Sequence, residues 1–258
     1  GGGGGGWAWT GGGGSRGHQE ELGKGEGHGG VPAESIVAMI GVETFYGKRA
    51  GNYPVLDALT TLGFDYPLEN TTKERQQRRE LFFRKELKEY LLMSREEKAD
   101  PRGFKGSYAG AMGMPQFISS SFRAYAVDFD GDGKRDLWKS TADAIGSVAN
   151  YFKRHGWVKG KPIVSRAQVS SSAQKLGSKA MKPHTKVKDF KKQGAVPLQA
   201  FADDEMATLL KFNGGKGHEY WLGLNNFYVI TRYNHSPLYA MAVYQLSQAV
   251  ATEYFTSR

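Results

Sequence analysis

The chain has 258 residues, 39% of them hydrophobic and 12% aromatic, which supplies a real core and excludes a chain that is disordered throughout. Its net charge of +9 favours an anionic partner, whether nucleic acid, a membrane surface or an acidic polymer such as a bacterial wall, without choosing among them. There is no cysteine, hence no disulfide framework or thiol chemistry. No run of about 18 apolar residues is present, so the chain as given is expected to be soluble, which allows for a leader already removed.

Residues 1–30 hold 16 of the 35 glycines, too many for the segment to fold alone, because each glycine loses the most backbone freedom on ordering. Trp7, Trp9 and the stretch His18-Gln19-Glu20-Glu21-Leu22 read as remnants of a helix whose other positions are glycine. The segment is treated as an unassigned placeholder, and no function is drawn from it.

Pro32 stands where a helix begins, since its missing N–H is no loss in a first turn. The run Ser35-Ile36-Val37-Ala38-Met39-Ile40-Gly41-Val42 that follows is apolar after its first residue and closes on Glu43. If the helix continues to Gly47, Glu43 lies on the face of Met39 and Ile40. A carboxyl group held there loses hydration of its charged form, so its pKa is expected to rise toward the range of a general acid. A Glu on the solvent side of a helix end is the bland alternative.

A turn-rich segment, Gly51-Asn52-Tyr53-Pro54, leads to Val55–Leu62, and a long charged helix is expected over Glu74–Met93 with Leu81, Leu87, Leu91 and Leu92 inward. Ala142–His155 reads as another helix, with Ile145, Val148, Ala149 and Phe152 at helical spacing. From Val158 to Ala200 ten Lys or Arg stand against one acid, Asp189. Pro162-Ile163-Val164 and Thr185-Lys186-Val187 there suggest a small sheet with long loops. This insertion is either a polyanion-binding patch or a solvated appendage. Aromatic density returns from Glu219, and a helix over Leu238–Glu253 closes the chain. The expected architecture is α+β and mainly α: a helical core over 31–157 and 218–258, interrupted by a small basic β-containing insertion at 158–217.

Three further patterns could carry chemistry. The small-residue stretch Gly106–Phe117 contains Ser107 and Gln116, which could bind sugar hydroxyl or acetamido groups, although a tight packing turn has the same composition. Asp128-Phe129-Asp130-Gly131-Asp132-Gly133-Lys134-Arg135-Asp136 has the spacing of a calcium loop, with Lys139 where a bidentate Glu is expected and Asp143 as the next acid. An Asp-Gly turn is the alternative there. Tyr151, Tyr233, Asn234, Tyr239, Arg78 and Arg79 could line a cleft, since tyrosine offers a flat apolar face to a pyranose ring.

Taken in order, Gly41-Val42-Glu43-Thr44, Ser107–Gly113, Ala144–Phe152 and Asn226–His235 resemble the lytic murein transglycosylase B family, goose-lysozyme-related enzymes of bacterial peptidoglycan. The resemblance runs from about Val31 to Val250. It implies a lysozyme-like core in which Glu43 is the sole catalytic acid and base, and in which Ser107 and Gln116 contact the sugar beside the scissile bond. It also implies that Tyr151, Tyr233, Asn234, Tyr239, Arg78 and Arg79 line the glycan groove. A structural Ca2+ is implied at Asp128, Asp130, Asp132, the Lys134 carbonyl and Asp143, with no organic cofactor. Phe82 stands where the family can have a groove tyrosine.

The implied reaction cleaves the MurNAc-GlcNAc bond without water and leaves a 1,6-anhydro end. Expected partners are peptidoglycan strands and other cell-wall enzymes rather than nucleic acid, with the protein a monomer of the bacterial periplasm. A peptidoglycan hydrolase that uses water, with the two carboxylates of an ordinary glycosidase, and a noncatalytic wall-binding module are the alternatives.

Overall fold

The structure, a computed structural model, describes residues 16–68, 71–215 and 217–256. Trp7, Trp9 and both pure glycine runs lie outside the described residues. The glycine-rich segment is not wholly without regular structure: Arg16–Gly29 forms α1, in which Lys24 pairs with Glu20 one turn earlier at 2.8 Å.

The described residues then fall into two compact units, one comprising those up to His28 and within 39–151, the other those within 29–38 and from Phe152 onward. Helix α2, Ala33–Thr44, begins one residue after Pro32, whose carbonyl accepts the N–H groups of Ser35 and Ile36. It ends at Thr44, three residues earlier than the glycine at 47 suggested. Glu43 stays within it.

In the first unit, β1 (Tyr53–Pro54) leads into α3 (Val55–Phe64), and α4 (Lys73–Glu96) packs along α3. Thr72 caps α4 by accepting the Arg75 N–H at 3.3 Å, one of the donors that a helix start leaves unpaired. The inner face of α4 is Phe83, Glu86, Tyr90, Met93 and Ser94. The expected leucine face is wrong: Leu81 and Leu91 are exposed, and Leu87 and Leu92 are only half-buried. Phe83, Tyr90 and Met93 fill the core instead, and the acid on that face has a partner. Glu86 accepts the N–H and hydroxyl of Ser120 at 3.0 and 2.7 Å, holding the first turn of α5 (Ser119–Tyr125).

Strand β2 (Lys105–Gly106) pairs antiparallel with β1, and α6 is Thr141–Arg154, its Ile145, Val148, Ala149 and Phe152 buried as the spacing foretold.

The second unit carries a five-stranded antiparallel sheet. Its strands are β3 (Val164–Val169), β4 (Thr185–Lys186), β5 (Ala195–Pro197), β6 (Met206–Gly214) and β7 (Gly217–Gly223), in spatial order β4-β6-β7-β3-β5. The short α7, Val187–Lys192, packs its Val187 and Phe190 with Leu209, Tyr220 and Leu222 to form the sheet's core. The sheet therefore runs to Gly223, past the expected edge of the insertion.

Helices α8 (Asn225–Tyr233) and α9 (Pro237–Thr256) complete this unit. The buried Asn226 amide donates to the carbonyls of Val158 and Lys161, fixing the entry to the sheet against α8. The match to mainly-α architecture with a small sheet is as the sequence implied.

Candidate functional site

Glu43 is half-buried, one residue before the end of α2, behind Met39 and Ile40, which are fully buried. The end of that helix is built for rigidity. Thr44 donates its hydroxyl to the Met114 carbonyl at 2.8 Å and accepts the Gly47 N–H at 2.8 Å. Phe45, Tyr46 and Gly47 then follow with φ of 50°, 59° and 84°. Two side-chain-bearing residues in the left-handed region are costly and persist only where surroundings hold them. Here Tyr46 lays its ring on the helix itself: a Cβ at Gly41 would sit 2.8 Å from the Tyr46 hydroxyl. Burial raises the Tyr46 phenol above its ordinary pKa.

The loop that holds Ser107 and Gln116 is pressed against this turn by glycines. A Cβ at Gly51 would fall 2.2 Å from the Gly106 carbonyl, and one at Gly113, where φ is +71°, would fall 2.5 Å from the Leu137 carbonyl. Ser107 Oγ accepts the N–H groups of Ala109 and Ala111 at 3.2 and 3.0 Å, which organises the loop and leaves the hydroxyl proton for another acceptor. Gln116, at φ 52°, spends both amide protons on the carbonyls of Ala50 and Gly113 at 3.1 and 3.0 Å. Its carbonyl oxygen is the atom available to a ligand.

Thus one unit brings Glu43, Ser107 and Gln116 onto a frame tied together at Thr44–Met114, Ala50–Gln116 and Gly51–Gly106. Tyr151 lies in the same unit but is almost wholly buried, its ring against Tyr125 and Phe117 at 5.0 and 5.8 Å. Arg78 is exposed on α4, while Arg79 stacks over Phe83, Phe82 and Tyr66 at 4.9 to 5.9 Å. Tyr233, Asn234 and Tyr239 belong to the second unit: Tyr233 ends α8, Asn234 is exposed just after it, and Tyr239 is half-buried in the first turn of α9. Sequence reasoning missed Thr44 and Tyr46. The signal was available, a β-branched hydroxyl at a helix end three residues before a glycine.

The acidic loop draws three of its expected ligands together. Carboxylate oxygens of Asp128, Asp130 and Asp143 lie within 4.8 Å of one another. Asp143 stands in the first turn of α6, fully buried, and accepts the N–H groups of Phe129 and Asp136, both at 2.7 Å. Burial raises its carboxyl pKa, with the nearby Asp130 charge adding to the rise. Asp132 is outside this trio, its carboxylate taken by the Lys134 N–H at 2.9 Å. The longer loop thus reaches past Lys139 to Asp143. Three convergent hard oxygen donors, one of them desolvated and crowded by a like charge, fit a divalent cation such as calcium.

The insertion's basic excess is smaller in space than in sequence. Lys161 pairs with Glu205, Lys186 and Lys188 with Asp204, Lys191 with Asp203, and Arg166 with Glu219. Among the described residues, no helix is long and apolar enough to cross a membrane.

Comparison with known proteins shows what this frame is similar to. The family model described as the transglycosylase SLT domain matches residues 10–248. The membrane-bound lytic murein transglycosylase B of Escherichia coli strain K12 is 49% identical over 222 residues, or 86% of this chain. The chain spans only 58% of that relative's length. Among solved structures, the soluble lytic transglycosylase SltB1 of Pseudomonas aeruginosa is 53% identical, with a TM-score of 0.84 over 92% of this chain and 76% of that one. Escherichia coli Slt35, solved in complex with calcium, is 46% identical, with a TM-score of 0.81 over 92% and 71%. SltB3 of Pseudomonas aeruginosa, solved with NAG-anhNAM-pentapeptide, is 34% identical, with a TM-score of 0.78 over 90% and 60%.

Proposed function

This chain belongs to the transglycosylase SLT domain family, and from that premise we propose that it cleaves the glycan strands of peptidoglycan at the MurNAc-GlcNAc bond without water, using Glu43 as acid and then as base. The observation that carries this reading is the placement of Glu43 one residue before a helix end that Thr44 fixes to the Met114 carbonyl, in the same compact unit as Ser107 and Gln116.

The Glu43 carboxyl gives its proton to the glycosidic oxygen as the bond from that oxygen to the anomeric carbon breaks. The muramic acid 6-hydroxyl then attacks the same anomeric carbon, and the Glu43 carboxylate takes the hydroxyl proton. The product is a 1,6-anhydro ring, Glu43 is returned protonated, and no water is consumed. One carboxyl group suffices because the nucleophile is already part of the substrate, where an ordinary glycosidase needs a second carboxylate. The Ser107 hydroxyl and the Gln116 carbonyl oxygen orient the adjoining sugar through its hydroxyl and acetamido groups. We assign contacts with the rest of the strand to Arg78 and Arg79 in the first unit, to Tyr233, Asn234 and Tyr239 in the second, and to Tyr151 only through the small part of its side chain that is not buried.

Calcium would be held by Asp128, Asp130 and Asp143, with Asp132 and the Lys134 carbonyl joining from the loop. Its role would be structural, tying the loop to the start of α6. The protein acts in the bacterial periplasm as a monomer, beside other enzymes of the wall.

Digestion of purified peptidoglycan, read by mass spectrometry, tests the reading. Anhydro ends, lighter by one water than reducing ends, are expected. Reducing ends would make the protein a hydrolase, and intact wall would leave a noncatalytic binding module.

A further inference from the structure

The first unit holds a cavity of about 510 Å³ whose lining includes none of Glu43, Ser107 and Gln116. Its floor is aromatic. Trp138 stacks on Phe104 with ring centroids 4.9 Å apart and planes at 27°, and its indole N–H donates to the Lys105 carbonyl at 2.7 Å. Phe104 in turn meets Tyr90 edge-on, and the fully buried Tyr90 is anchored by its hydroxyl to the Pro101 carbonyl. The indole is therefore fixed in place before any ligand arrives.

Around this floor the charge is one-sided. Lys98, Lys105, Lys134, Lys139 and Arg135 face only Glu97 and Asp136. Both acids are already occupied. Glu97 binds the Arg135 guanidinium at 2.6 Å, and Asp136 accepts the N–H groups of Trp138 and Lys139. The four lysines are exposed and make no ion pair among the described residues. A concave surface with an aromatic floor, ringed by ammonium groups without acidic partners among the described residues, fits a carboxylate-bearing ligand with apolar parts to lay on the rings.

The pocket is joined to the candidate active site through one strand: Lys105 in β2 lines the pocket, and Ser107 follows two residues later. We propose that this pocket binds the acidic peptide stem of peptidoglycan, holding the branch that hangs from a strand while the strand itself occupies the Glu43 site. This rests on peptidoglycan being the substrate. It adds a place that reads the stem.

The test uses the full chain carrying Glu43→Gln and the free stem tripeptide L-alanyl-γ-D-glutamyl-diaminopimelate, which has no sugar to enter the groove. Calorimetric titration is expected to show binding that weakens at least tenfold when the peptide carboxyls are amidated. A similar loss is expected with Lys98→Glu combined with Lys105→Glu, at unchanged melting temperature, and the Trp138 indole N–H resonance is expected to shift on titration. Equal binding of acidic and amidated peptides overturns the proposal, whether or not the lysine variant folds, and so does no binding of either. Cleavage of stem-free glycan strands by the unmodified protein is measured in parallel. Strands cut without stem binding defeat this inference alone, whereas stem binding without any cleavage defeats the reading of the enzyme.

Discussion

The hydroxyl of Thr44 reaches the carbonyl of Met114, seventy residues away in sequence, at 2.8 Å, and the neighbour of Thr44 is the proposed catalytic acid. Thr44→Val keeps the shape but leaves that carbonyl and the Gly47 N–H without their partner, at a cost of about 1–3 kcal/mol. Urea unfolding should register that loss, and turnover should fall chiefly in kcat, since the hydroxyl sets geometry and not affinity. Thr44→Ser should restore most of both. A variant with normal kcat would show that Glu43 is positioned by other means.

Glu43→Gln retains the size and reach of the side chain but can neither give nor take the proton. Cleavage should fall by at least the roughly 10²-fold to 10⁴-fold typical of acid–base catalysis, while strand binding survives. Asp57→Asn and Asp65→Asn should still yield anhydro product. Near-normal turnover by the Gln variant would end the single-carboxylate mechanism.

Gly113→Ala combines a left-handed φ of +71° with a methyl group placed 2.5 Å from the Leu137 carbonyl. The backbone preference alone is worth about 1–2 kcal/mol, and relief of the clash must displace the loop that Gln116 anchors. Melting should fall by more than the roughly 2–4 °C expected per kcal/mol in a protein of this size. An unshifted melting curve would mean that the loop yields freely.

Calcium added to chelator-treated protein should raise the melting temperature, because a ligand of the native state alone stabilises by about 2.7 kcal/mol at a hundredfold excess over its Kd. Asp143→Asn removes the buried member of the trio and should abolish the shift. Asp132→Asn, outside the trio, should only reduce it. If Asp143→Asn responds as the parent does, the ion binds elsewhere.

Arg123 joins α5 to α4 by binding both Glu96 and Glu89, and its hydrogen bond holds the Glu96 carboxyl below the usual Glu value. A depressed folded-state pKa favours folding above the unfolded value and loses that benefit as pH falls through the folded one. Stability should therefore drop below about pH 4.5, and Arg123→Gln should flatten that acid limb. The pair is largely exposed and screened by solvent, so the difference should be small. Parallel acid limbs for the two proteins would remove the pair from the account.

Sequence spacing revealed best the helix whose apolar residues recur with the helical period. Ile145, Val148, Ala149 and Phe152 declare α6 because their spacing is helical, even though Asp143 and Ser147 are buried on the same helix and accept the N–H groups of Phe129, Asp136 and Val127. On α4 the same logic pointed to leucines and failed, since the buried face includes Glu86, which is tolerated only because Ser120 lies opposite it. Long-range pairing of that kind leaves no local trace. Strand β6 escaped for a related reason: Ala207, Thr208, Leu209 and Leu210 are buried in succession, so the alternation that marks a half-exposed strand is absent.

The acidic loop was legible through its aspartates and glycines, whereas the approach of Asp143 to Asp128 and Asp130 depends on where α6 begins. The basic excess of 158–200 shrinks in the fold because Asp203, Asp204 and Glu205, just beyond that stretch, pair with its lysines. The groups at the candidate site were legible as motifs. Their scaffold was not, because positive φ angles and glycine contacts are properties of the folded chain.

Phe45 and Tyr46 both hold backbone angles that a glycine would adopt at no cost, and Phe45 is half-exposed, with Lys48 and Arg49 over its ring at 5.0 and 5.9 Å. Each left-handed L-residue forfeits about 1–2 kcal/mol. Durability has thus been surrendered beside the proposed proton donor, where a more relaxed turn would let the carboxyl wander. Selection for heat tolerance alone should drift toward glycine or asparagine at position 45, and the survivors should be hardier and slower.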